Sequence, residues 1–265
     1  MKKNVFFVAA LFTATFGMAQ DLTSKKGETI LPEAGDYAIG FNASPFLNYF
    51  GNMFNTGANV PFTAGYSGAQ AITGKMFTDA NNAYRFGVRL GLGSTSTTTL
   101  NDKFTAGAAV EGETIEDIAK VSDFNLLLSA GKEFRRGNTR LQGFYGAEAI
   151  ITMGTNSTEN TFGNSAADQH GTDEVSRISS SKQGTTFGIG ARGFVGVEYF
   201  VAAKISIAAE YGWGLLYNNT GAGETVTETY DGAASKDVTT ESGSNSTFNL
   251  DTDVKSGAIS VMFHF

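Results

Sequence analysis

The stretch Gly257-Ala258-Ile259-Ser260-Val261-Met262-Phe263-His264-Phe265 decides the fold. Ile259, Val261, Phe263 and Phe265 fall on one face of an extended chain, and Ala258, Ser260, Met262 and His264 on the other. Side chains alternate across a strand, so a period of two marks a strand with one apolar face. Upstream, Ile205, Ile207, Ala209, Tyr211, Trp213 and Leu215 alternate with Ser206, Ala208, Glu210, Gly212 and Gly214. Phe187, Ile189, Ala191, Val195, Val197 and Tyr199 alternate with Gly188, Gly190, Arg192, Gly196 and Glu198. Tyr84, Phe86, Val88, Leu90 and Leu92 alternate with Arg85, Gly87, Arg89, Gly91 and Gly93. Phe124, Leu126 and Leu128 head another run, Leu141 to Met153 gives one more, and two weaker runs span Tyr37 to Phe46 and Ala71 to Asp79. The sequence predicts eight strands.

Their connections alternate in length. Asp79 to Asn82, Arg136 to Thr139 and Phe200 to Lys204 read as tight turns. Between them lie Leu47–Gln70, Thr97–Val121, Gly154–Gln183 and Asn218–Thr247, of 24, 25, 30 and 30 residues, which read as long structureless loops rich in Thr, Ser, Gly and Asn. The four stretches hold 14 acids against 5 bases. Short turns at one end and long loops at the other fit a membrane β-barrel. A soluble up-and-down barrel also alternates, but keeps its apolar face inward.

Composition narrows the choice. The chain has 265 residues, a net charge of −7, 33 Gly, 3 Pro and no Cys. The missing cysteine excludes disulfide scaffolds, thiolate sites and a lipoprotein anchor, and the acidic balance argues against a nucleic-acid partner. Lys2 and Lys3, the apolar run Val5 to Phe16 and the small-x-small site Gly17-Met18-Ala19 read as a secretory signal over residues 1–19. Residues 20–35 then form a periplasmic tail without a core of its own, and 36–265 the barrel domain. No later segment is long and apolar enough for a transmembrane helix. Leader, loop asymmetry and terminal strand together favour an eight-stranded antiparallel transmembrane β-barrel, with short periplasmic turns and four long extracellular loops.

The terminal strand, with Gly35-Asp36-Tyr37-Ala38-Ile39-Gly40-Phe41, Tyr84-Arg85-Phe86-Gly87-Val88-Arg89 and Ala209-Glu210-Tyr211-Gly212-Trp213-Gly214, resembles small porin-like outer-membrane β-barrel proteins of OmpA or OmpX size. That resemblance implies a Gram-negative-type cell envelope. It also implies that Phe263 and Phe265 form the signal read by the barrel-assembly machinery.

Eight charged residues share the face opposite the aromatics. Lys75, Arg85, Glu133 and Glu198 lie nearer the short turns, and Arg89, Glu148, Arg192 and Glu210 farther away. Two neutral tiers result, as ion pairs in a narrow lumen require. Arg192 is expected to serve Glu148 and Glu210, and Arg85 to face Glu133. Tyr211, Trp213 and Tyr217 suit one lipid interface, and Tyr84, Phe134, Tyr199 and Phe265 the other.

Sites of chemistry are few. Asp168 to Glu174, with His170, reads as a solvated loop lacking rigid support. Glu111, Glu113, Glu116 and Asp117 offer oxygen ligands without calcium-site spacing, and Glu113 to Lys120 suits one or two helical turns. No cofactor, catalytic or metal site is expected, and the protein reads as no enzyme. It is expected to be a monomer among outer-membrane lipid and lipopolysaccharide, with a plugged lumen and an unidentified extracellular ligand. Its exposed loops would act in envelope integrity, adhesion or surface binding; the alternative is a narrow porin.

Overall fold

The computed structural model describes residues 22–24, 26–43, 72–252 and 258–265. The expected signal sequence, the long stretch 47–70 and the residues just before Ala258 lie outside the described residues. In chain order the elements are β1 (Tyr37–Asn42), β2 (Ile72–Asp79), β3 (Asn82–Thr105), β4 (Ala108–Arg136), β5 (Leu141–Thr161), α1 (Ala166–His170), β6 (Val175–Lys182), β7 (Thr186–Ala202), β8 (Ile205–Thr220), β9 (Glu224–Tyr230), β10 (Ser235–Glu241), β11 (Asn245–Thr252) and β12 (Ala258–His264).

Among the described residues, eight of the twelve strands close a ring. β1 pairs with β2, then β3, β4, β5, β7, β8 and β12 follow in order, and β12 returns to β1; every pair is antiparallel. The seam runs from Ala38 opposite His264 to Asn42 opposite Ser260. Beyond it, Tyr37 and Phe265 exchange two backbone bonds of 2.9 Å. Closure leaves the ring no open edge.

Parity assigns the two faces. Tyr84, Phe86, Val88, Leu90 and Leu92 of β3 are all exposed on the outside, as are Val195, Val197 and Tyr199 of β7. Inside, Ala38, Phe77, Ala83 and Met262 cluster near the short turns, and Phe144, Phe194 and Ala208 farther along. An eight-stranded ring leaves an interior about wide enough for side chains.

Above the ring the sheet continues as a raised wall. β3 and β4 pair with little interruption from Asn82 opposite Phe134 to Thr105 opposite Ala108. Ala106 (φ 51°) and Gly107 (φ 81°) turn the corner, both left-handed as a type I′ hairpin requires. β5 extends to Thr161; β6, β9 and β10 pair side by side, and β11 continues on the edge of β8 above β12.

This corrects the reading of the long stretches as structureless: the three described ones are rich in strand. The apolar residues of the wall, such as Leu100, Ile178 and Val238, stand singly among Thr, Ser and charge, so no apolar alternation betrays it, while Thr favours strands. Glu113 to Lys120 is likewise strand rather than helix, because β3 offers ladder partners from Thr114 onward and β5 from Ile118 onward. The tail is anchored to the ring. Ile30 is only 2% exposed, and Gly35 N–H bonds to the Phe77 carbonyl at 2.9 Å, fixing the tail to the short-turn end.

Candidate functional site: the charged interior of the ring

Six ring strands send charged side chains inward, each by the same alternation that turns apolar neighbours outward. Glu148 of β5 lies directly opposite Arg192 of β7, and Gln142 opposite Glu198. Long side chains need room, and small residues beside them provide it. Glu148 faces Gly131, and Arg192 faces Gly214. A Cβ at Gly212 would lie 2.6 Å from the Arg192 guanidinium, and one at Gly131 2.6 Å from Glu148 Cβ.

Two neutral groups of four charges result. In the one nearer the short turns, Lys75 Nζ reaches Glu133 at 2.9 Å and Glu198 at 3.2 Å. Arg135 Nη1 binds the same two carboxylates at 2.8 and 2.7 Å. In the other, Arg192 Nη1 lies 3.1 Å from Glu148 and 2.6 Å from Glu210. Arg85 completes it, bonding Glu210 through both terminal nitrogens and lying 3.5 Å from Glu148. A longer contact of 3.8 Å from Arg85 to Glu133 joins the groups.

Burial gives these contacts weight. The side chains of Arg135, Glu133 and Glu198 are 0% exposed. Isolated buried charges cost several kcal/mol each, and only close pairing with further hydrogen bonds offsets that. Those bonds are present: Gln142 accepts from Arg135 Nε at 2.9 Å, and Ser206 donates to Glu198. His264 Nε2 lies 2.9 Å from Ser206 Oγ and 3.2 Å from Glu198. Aromatic faces also lie against the cations, while Glu133 Oε2 and Arg135 Nη2 are buried without a hydrogen-bond partner among the described residues. Lys75 sits 4.7 Å from the Phe144 centroid, Arg85 4.4 Å from Phe194, and Arg135 5.4 Å from Phe77.

The structure thus brings together seven of the eight expected charges: Lys75, Arg85, Glu133, Glu148, Arg192, Glu198 and Glu210. Arg192 does serve Glu148 and Glu210. Arg85, placed by counting in the lower tier, instead joins the upper one, because the register sets it level with Gly131 and, across that glycine, with Glu148. Arg89 lies beyond both groups, on the wall of a cavity farther along β3. Sequence reasoning missed Arg135, which shares the parity of Glu133 but sits beside a turn residue. It also missed Phe77, Phe144, Phe194 and Phe200, which share the parity of the charges and point inward despite being aromatic.

The outward aromatics fall as follows. Tyr84, Tyr199 and Phe265 are exposed near the short turns, where Phe265 stacks on Tyr37 at 6.4 Å and Phe134 on Tyr145 at 5.5 Å. Phe263 is exposed one dyad before Phe265. Trp213 and Tyr211 meet edge to face at 5.1 Å partway along β8, and Tyr217 bonds Ser246 of β11 at 3.1 Å.

The acidic runs are structured rather than loose. Asp168 lies in α1, capped by Ser165 and held on the β3–β4 tip through Gly107 N–H to its carbonyl at 2.7 Å; this corrects the expectation of an unsupported loop. Asp117 accepts from Asn101 and from Gly163 N–H, both at 2.8 Å, and Glu113 pairs with Lys103. Among the described residues, no three His, Asp or Glu side chains converge on a metal-sized site.

No family model matches the chain, and no curated protein matches it. Among solved structures it is similar to a major outer membrane protein from Thermus thermophilus, over 87% of this chain and 98% of that one. The identity is 13% and the TM-score 0.29, and a likeness that distant carries no argument.

Proposed function

We propose that the protein is an integral outer-membrane β-barrel. Its eight ring strands cross the lipid, with the short turns and both termini periplasmic and the raised wall outside the cell. The observation that carries this reading is the inversion of the ring: apolar side chains cover the outside, and paired charges occupy the inside. In water that arrangement would expose a broad apolar belt, far beyond an ordinary surface patch. In lipid it is stable, because a closed antiparallel ring satisfies its own backbone groups. The outward run from Tyr84 to Leu92 matches the ~9–11 tilted residues needed to span the hydrocarbon.

The buried network closes the interior, so the barrel acts through its raised wall, in adhesion, envelope integrity or surface binding, and not as an enzyme. The test is to refold residues 20–265 into micelles and planar bilayers. The barrel should fold only with detergent or lipid, show blue-shifted Trp213 fluorescence in bilayers and remain electrically silent. A native-like soluble monomer without detergent overturns the membrane reading. A steady ion-selective conductance overturns the closed interior and makes the protein a narrow porin.

A further inference from the structure

The ring interior changes character beyond the ion network. Toward the short turns its inward positions hold Phe and charge; farther along they run through Gly87, Gly91 and Gly93 of β3, Gly154 of β5, and Gly188 and Gly190 of β7. Missing side chains leave space, and a cavity of about 500 Å³ opens there. Its wall carries Arg89, Asp123, Asn125, Thr152, Asn156 and Thr186. Arg89 and Thr152 each stand four residues beyond a network member, Arg85 and Glu148, which is about 13 Å at the strand rise. The network thus lies on the short-turn side of this chamber.

We propose that the chamber binds a small, neutral, hydroxyl-rich solute of mono- to disaccharide size. The volume falls within the ~300–1,000 Å³ of small-molecule sites. Its wall sets amides and hydroxyls from β4, β5 and β7 beside the apolar Leu126, Leu127 and Met153, the mixture a sugar with polar edges and an apolar face would meet. The amides and hydroxyls offer donors and acceptors in near-equal number, the pattern that hydroxyl groups match. Among the described residues of the wall, one guanidinium stands against one carboxylate, which favours a neutral solute. The polar groups are held in place: a Cβ at Gly93 would fall 2.0 Å from the Asp123 carboxylate, and Thr152 Oγ1 approaches Asn218 Oδ1 at 3.5 Å over Gly188.

The test titrates trehalose into the ¹⁵N-labelled mature chain in dodecylphosphocholine micelles, a detergent without sugar headgroups, and follows the side-chain amides of Asn125 and Asn156. Saturable shifts confined to those amides are expected, with no response to glycine betaine or inorganic phosphate. A Cβ at Gly91 meets only Asn125 at ordinary contact distance, so Gly91→Leu should fill the chamber and weaken binding about tenfold or more. Asn125→Leu, which leaves the volume but removes the hydrogen bonds, should do the same if Gly91→Leu fails to fold. No saturable shift, shifts that survive both variants, or an equal response to phosphate or betaine overturns the proposal. The titration is read on folded protein in micelles, so its failure leaves the membrane reading standing.

Discussion

Two ion pairs in this molecule have the same length and different meanings. Arg135 to Glu198, inside the ring, and Lys103 to Glu113, on the raised wall, both measure 2.7 Å. The first pair has no exposed side-chain surface; the second is 44% and 54% exposed. Distance alone says nothing of strength. In the interior, removing one partner strands a charge away from water, whereas on the wall water replaces it at once.

The comparison breaks most visibly if Arg135→Ala proves harmless. Breaking a buried pair costs about 3–5 kcal/mol, and here both Glu133 and Glu198 lose a partner. Urea unfolding in micelles should show that loss. Arg192→Ala, which deprives Glu148 and Glu210, should likewise destabilise more than Arg140→Ala, whose Nη1 donates only to the Phe200 and Val201 carbonyls at 3.2 and 3.3 Å.

Next comes the same guanidinium without partners. Val88→Arg places it on the outer face, where the barrel reading sets it in hydrocarbon at ~2–4 kcal/mol near the midplane. Unfolding from lipid vesicles measures it. An unchanged midpoint would place Val88 in water.

Smaller is a pH effect on the wall. The hydrogen bond from Arg177, at 2.7 Å, holds the Glu228 carboxyl below its ordinary value against the opposing effect of burial, with help from Ser235. A depressed folded-state value stabilises above the unfolded value, about 4.3, and that stability disappears as pH falls through the folded one. Amides shared by β6 and β9 should therefore exchange faster on acidification below about 4, and Glu228→Gln should remove the dependence while leaving the ring unaffected. Solvent screening keeps the effect small.

Smallest is Lys103→Ala. Its ammonium is raised by Glu113 in the folded state, yet both groups are open to water, so thermal unfolding should not move. A measurable shift would mean that the wall shields its ion pairs as the ring does.

The same contrast explains what the sequence made legible. Ring strands announce themselves because one face must be apolar and the other not, so parity placed Lys75, Glu133, Glu148, Arg192, Glu198 and Glu210 inside without any structure. The wall has no continuous apolar face among the described residues. β9 and β10, with Thr225, Thr227, Thr229 and Thr239, hold their places by backbone ladders that leave no hydrophobic trace. Arg135 was hidden by its nearness to a turn, although two residues from Glu133 is the same face. The inward phenylalanines were hidden by a rule of thumb that sends aromatics to lipid. Phe144 and Phe194 obey parity instead, filling space above glycines: a Cβ at Gly196 would lie 2.3 Å from Phe144 Cζ, and one at Gly146 2.7 Å from Phe194 Cζ.

The β3–β4 ladder also has a mechanical consequence. Its bonds run across the strands, from the ring to the tip at Ala106 and Gly107. A load on the tip directed along the strands pulls β3 and β4 the same way, so no bond between them is stretched first. Slippage would instead have to occur against β2 and β5, where many bonds bear the load together in shear. A sideways load meets the bonds one at a time and peels. The wall is therefore stiff against traction away from the ring and weak against tearing across it, an anisotropy fixed by strand direction alone.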